Sequence, residues 1–127
     1  MYKEIVICII IIFLIVLGNI VTQKYTENSI KELGDSLNKI KEASDSSLAK
    51  EEINNSQKIW NEKYKTLAYY IEHDELEKVT EAIIKSKSNI DTGDEGQAIE
   101  NIDNCIFLLD HIKEKEKFNL RNIFWYY

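Results

Sequence analysis

Residues 5–21 read IVICIIIIFLIVLGNIV, an apolar run in which only Gly18 and Asn19 interrupt the large side chains, and everything after it is charged, polar and helical in its spacing. At about 1.5 Å per residue the run extends roughly 25 Å, the short end of what the ~30 Å hydrocarbon core of a bilayer requires, and flanking residues such as Tyr2 and Thr22 can complete it. A cleaved secretory signal also joins a short basic start to a hydrophobic run, but the stretch from Gly18 to Tyr25 has no small residues two apart in the pattern that cleavage needs. Cys8 lies within the run with no lipidation signature ahead of it. Residues 1–23 therefore read as an uncleaved transmembrane anchor that contacts the lipid bilayer through residues 5–21.

Lys3 before the run and Lys24 and Lys31 after it do not set an orientation by themselves. A very short N-terminal tail ordinarily stays in the cytoplasm, so residues 24–127 are expected outside it, in a single-pass arrangement at the cell membrane. The chain carries a net charge of −6, all of it beyond the run because Lys3 and Glu4 cancel, with no polybasic patch. That balance excludes nucleic acid as a partner and gives anionic headgroups nothing to attract. The two cysteines cannot pair if Cys8 sits in the bilayer and Cys105 in a helical apolar stripe, where it reads as a small core residue.

Past residue 24 there is no proline, so hydrophobic spacing has to supply the element boundaries. Ile30, Leu33, Leu37 and Ile40 step by three and four, either continuing the membrane helix or restarting it after Ser29, which with Glu32 fits a capping box. The stripe fades at Ser44–Ser47, a candidate turn and N-cap. A second stripe runs through Ala49, Ile53, Ser56, Trp60, Tyr64, Leu67 and Ile71. A third, Leu76, Val79, Ile83 and Ile90, is rotated from it by roughly 120° at 100° per residue. One straight helix over 47–90 would be ~66 Å long, about twice the ~30 Å of Lys24–Ala43, so a break is expected near His73 and Asp74, with Asp74 as cap and Glu77 three residues on. Asp91–Gly96 is the one clear loop. A last helix follows, carrying Ala98, Ile102, Cys105, Leu109 and Ile112 on one face, widened by Ile99 and Ile106.

The expected fold is all-α: an N-terminal transmembrane helix and then a small antiparallel three- or four-helix bundle over residues 24–127, standing on a stalk. Trp60 and Tyr64 are core aromatics. With four helices the closing Phe118, Phe124 and Trp125 return toward the bilayer, where aromatic rings favour the interface; with three, that tail points away and docks a partner.

Chemistry is sparse. Counted from Asp91, a calcium loop would need oxygen ligands at Gly93 and Ile102, so the acidic turn does not qualify. His73 and His111 each follow a carboxylate, Glu72 and Asp110, near the end of an apolar stripe. Two imidazoles with nearby carboxylates satisfy the donor types of a zinc site, yet neighbours in sequence point about 100° apart on a helix, which favours a structural role over metal binding. There is no Gly-rich phosphate loop, nucleophile elbow or Cys–His pairing, and Arg121 is the sole arginine. Neither catalysis nor a cofactor is expected.

Trp60, the segment Ile71-Glu72-His73-Asp74-Glu75-Leu76, the run from Leu109 to Phe118 (LDHIKEKEKF) and Leu120-Arg121-Asn122-Ile123-Phe124 together resemble an uncharacterised domain-of-unknown-function family of short proteins from Firmicutes, particularly clostridia and bacilli. The resemblance covers most of the chain. It implies a bacterial, membrane-anchored helical protein and brings no activity, substrate or cofactor.

The expected function is accordingly a noncatalytic accessory or interaction protein of the bacterial cell envelope, engaging another membrane protein, with self-association also compatible. The candidate partner or packing surface comprises Trp60, His73, His111, Phe118, Phe124 and Trp125. The alternative is a pH- or metal-responsive envelope sensor built on the two histidines.

Overall fold

The computed structural model describes the backbone of residues 1–126 and the side chains as far as Lys117. Four helices follow one another: α1 (Tyr2–Glu42), α2 (Ser46–Leu67), α3 (His73–Thr92) and α4 (Glu95–Tyr126). The short connections force each helix to run antiparallel to the one before it. Among the described residues α1 packs on α2 and α4, and α3 packs on α2 and α4, so the helices form a ring without diagonal contacts. Cross-links fix the register. Lys41 meets Asp103 and Lys117 approaches Glu27 between α1 and α4, whereas Trp60 meets Thr80 between α2 and α3.

The end of the bundle at which α1 joins it, called the root below, therefore gathers residues 22–27, the α2–α3 turn and α4 from His111 onward. At the far end lie the α1–α2 and α3–α4 turns.

The expected stripes make the core. Leu33, Leu37, Ile53, Leu67, Leu76, Val79, Ile83, Ile102, Cys105, Leu109 and Ile112 are almost completely removed from water. Ile30, Ile40, Ile90 and Ala98 are buried beside them, while Ile106 is half-buried and Ile99 largely exposed. Small polar residues fill the places where α1 and α2 come close. Ser56 shares a hydrogen bond of 2.6 Å with Ser36, whose hydroxyl donates to Glu52 at 2.8 Å. These buried hydroxyls thus lose no partner on leaving water.

Two boundaries differ from the expectation. The helix does not restart at Ser29: its Oγ donates back to the Tyr25 carbonyl at 2.7 Å, and α1 continues unbroken from Tyr2. Nor is there a stalk. Thr26 is already fully buried in the bundle, only five residues, or about 8 Å of helix, past the end of the apolar run at Val21. Over that run α1 is long and apolar enough to cross a membrane, and its most apolar stretch buries nothing against the rest of the chain.

At the second boundary α2 stops at Leu67, earlier than its stripe suggested. The Ile71 N–H still donates to the Leu67 carbonyl at 2.9 Å, so the helical step persists through the turn and carries Ile71 into the core. Glu72, rather than Asp74, takes the N-cap position of α3, without a side-chain cap; Asp74 and Glu75 lie in the first turn, where the helix dipole favours carboxylates. The two far-end turns match their sequence signals. Asp45 accepts the Leu48 N–H at 2.8 Å as N-cap of α2. The 91–96 loop contracts, because α3 runs on to Thr92 and closes at Gly93 with φ 78°. There Asp94 N–H reaches Asn89 O and Gly93 N–H reaches Ile90 O, a Schellman closure that suits glycine's freedom in the left-handed region.

Gly34 sits inside α1, and a Cβ built there meets nothing within 4 Å. Gly34→Ala should therefore raise stability by about 0.5–1 kcal/mol, since alanine relieves the helix of glycine's extra chain entropy at no steric cost. Denaturant titration of the full-length protein in detergent reads this directly; a loss of stability would show that the helix is tighter at Gly34 than the geometry allows.

Candidate functional site

The six residues singled out by sequence are not one surface. Trp60 is buried, its indole N–H donating to Thr80 Oγ1 at 2.8 Å and its ring meeting Tyr64 edge-on with centroids 5.8 Å apart. It holds α2 to α3 and offers nothing to a partner. Phe118, Phe124 and Trp125 belong to the last turns of α4, and their side chains lie outside the described residues.

The histidines both stand at the root, on different flanks of α3. His73 leans toward α2, with Nδ1 3.1 Å from the Tyr64 hydroxyl and Nε2 3.3 Å from Glu77, which also accepts the Tyr64 hydroxyl proton at 2.9 Å. His111, on α4, places Nε2 3.7 Å from Glu75. Each imidazole thus has its own carboxylate, and both remain well exposed. Among the described residues no group of three or more His, Cys, Asp or Glu side chains is arranged to hold a metal ion.

The better-formed polar cluster was not singled out by the sequence reading. Lys115 on α4 bridges the start of α3, 2.9 Å from Glu75 and 3.3 Å from Glu72. The hydrogen bond to Glu75 outweighs desolvation and raises the ammonium's pKa above its ordinary value. Glu75 is only 15% exposed. Beside it Glu116 lies one turn past Ile112 on the core-facing side of α4, half-buried, so that the apolar stripe of that helix ends in a carboxyl group. Burial, and secondarily the Glu75 carboxylate, raise the Glu116 pKa; Lys115 offsets part of this. Periodicity alone could have found Glu116, because it continues the row Leu109, Ile112 at the helical step.

Also unforeseen is the turn between α2 and α3. Tyr70 shares a hydrogen bond of 2.8 Å with Thr26 Oγ1 and donates to the Thr22 carbonyl at 3.2 Å, tying the turn to α1. Tyr69, next to it, is 90% exposed.

A groove of about 390 Å³ lies between α1 and α4, floored by Ile30, Gly34, Ile106 and Leu109 and edged by Lys31, Asp35, Asp110 and Lys113. Phe107 stands on the outer face of α4, 68% exposed. Cys105, sealed in the core, has its thiol pKa pushed up to about 12 by burial, which leaves no thiolate for chemistry at neutral pH.

For Glu116 the sign follows from the direction of its shift. A carboxyl whose pKa is raised on folding stabilises the fold below its unfolded value, and that contribution is lost as pH rises through the folded one. Glu116→Gln should hence be more stable than the wild type at pH 7, by a fraction of a kcal/mol because water still screens the group, and the gap should close toward pH 4. Thermal denaturation of both proteins at the two pH values tests this; a gap equal at both would assign the effect to shape rather than charge.

A comparison with known proteins bears on most of this chain. No curated protein and no solved structure matches it. The model of one family, a domain of unknown function designated DUF4363, matches residues 20–123, from the end of the apolar run through all four helices of the bundle. The chain belongs to the DUF4363 family.

Proposed function

We propose that this protein is a noncatalytic, membrane-anchored accessory protein of the bacterial cell envelope, whose bundle engages a second membrane protein. The observation that carries the reading is the division of α1. Its first half is apolar on every side and unburied, suited to lipid, and its second half is a core helix of the bundle. One rigid element thereby joins anchor and domain. On this reading the bundle lies on the extracytoplasmic side.

The polar side chains that cluster at the root serve interhelical pairs, which suits a scaffold more than a reaction centre. Two accessible apolar features suit a partner, the α1–α4 groove and the exposed Phe107 on the outer face of α4. With four helices the last turns of α4 run back along α1. Lys117 is near Glu27, and the helix continues about 13 Å farther, to Tyr126, through the aromatic sequence that contains Phe118, Phe124 and Trp125. A sensor built on the histidines has less support, since His73 and His111 are exposed and answer to different carboxylates.

The test is capture of the tagged full-length protein from native membranes in mild detergent. Wild type should bring down a second membrane protein in stoichiometric amount. Gly34→Leu, which adds bulk to the groove at a position where a Cβ meets nothing within 4 Å, and Phe107→Asp should reduce that yield severalfold while leaving the thermal midpoint close to wild type. Recovery of the protein alone, or only as a homo-oligomer, would overturn the accessory reading.

A further inference from the structure

The α2–α3 turn lies level with the point where α1 leaves its apolar run. Tyr70 donates to the carbonyl of Thr22, the residue directly after Val21, and shares a second hydrogen bond with Thr26 one turn on. The α1–α2 pairing agrees with this level: Lys63 reaches Glu32 and lies over the Tyr25 ring, so the turn a few residues later comes opposite the start of the bundled part of α1. The apolar run measures roughly 25 Å against a hydrocarbon core of ~30 Å, and closing that gap draws the first residues past Val21 toward the lipid boundary. The turn travels with them because Tyr70 is bonded to the same stretch of α1.

Tyr69 lies in that turn, between α2 and α3. It is 90% exposed, while its neighbour Tyr70 is turned inward to bond Thr26. In water so large an apolar ring is an unfavourable surface. At the headgroup level it finds an apolar environment for its body and hydrogen-bonding partners for its hydroxyl. The charges beside it limit the kind of surface. Glu72 and Asp74 are exposed on one side and Lys65 on the other, which leaves no excess of cations to draw the turn toward anionic lipid.

We propose that Tyr69 is a membrane-contact site, seating its ring among the headgroups of a neutral, zwitterionic leaflet, so that the tip of the α2–α3 turn rests on the bilayer in addition to the exit of α1. The inference rests on the spanning role of residues 5–21. It adds a consequence for function. A bundle held by this turn as well as by its anchor presents a fixed side to a membrane partner instead of swinging about the anchor, and the α1–α4 groove keeps one orientation relative to the leaflet.

The test uses the full-length chain, carrying Cys8→Ser, in phosphatidylcholine vesicles. Nitroxide labels are placed singly at Tyr69→Cys, at Leu48→Cys on the exposed far end, and at Ile12→Cys within the apolar run; Cys105 is sealed and does not compete for label. Collision rates with oxygen, which enriches in lipid, and with a water-soluble nickel chelate then report depth. The expected result is a nickel collision rate at position 69 severalfold below that at 48, a shallow depth at 69 and a deep one at 12. A label at 69 as open to nickel as the one at 48, with 12 still shielded, would overturn the contact while leaving the span intact. Nickel access at all three positions would overturn the span and the contact with it.

Discussion

The unbroken course of α1 is the constraint on which the rest of the structure depends. Its residues Tyr2–Glu42 form one helix, so the direction in which the chain leaves its apolar segment is also the direction of the first bundle helix. Because the intrahelical hydrogen bonds run on through residues 22–29, nothing in that stretch releases the domain to turn independently. The other three helices then have one stripe of α1, from Thr26 to Ile40, against which to close a core. The up-and-down ring follows from the short connections between helices.

That arrangement explains the chemistry of the bundle's two ends. At the far end the chain reverses in tight turns with strong local signals, Asp45 as N-cap and Gly93 in the left-handed region. At the root the apolar stripes run out while the helices go on, and polar groups take over the space between them. Thr26 and Tyr70 join α1 to the turn, Lys115 joins α4 to the start of α3, and Glu116 ends the buried row of α4. These are interhelical ties: the hydrogen bond to Glu75 raises the Lys115 pKa, and partial burial raises that of Glu116. On the proposed reading this end faces the bilayer, which gives the aromatic residues there, Tyr69 above all, an environment that suits them.

Much of the fold was legible because the helical stripes are clean. Ile30, Leu33, Leu37 and Ile40, then Ile53 and Trp60, then Leu76, Val79 and Ile83, then Ile102, Cys105 and Leu109 all entered the core as their spacing required. The end of α2 was harder to place, because Ile71 keeps the four-residue step from Leu67 after the helix has stopped and so hides the turn at Tyr69 and Tyr70. The Ser29–Glu32 pattern suggested a helix start, but a serine inside a helix satisfies its hydroxyl just as well by donating one turn back. Little of the site could be read in the same way. Sequence draws the eye to rare residue types such as His73, His111 and Trp60, whereas the contacts at the root are made by common ones, Lys115, Glu75, Tyr70 and Thr26, whose pairing depends on the register between helices far apart in the chain.

The account is tested most directly by hydrogen exchange on the full-length protein in lipid nanodiscs, resolved along α1. It predicts unbroken slow exchange from Gly18 through Leu33, because the backbone hydrogen bonds of one helix carry across from the apolar segment into the core. A window of fast exchange at residues 22–26, flanked by protected residues on both sides, would reveal a hinge between anchor and bundle and contradict it.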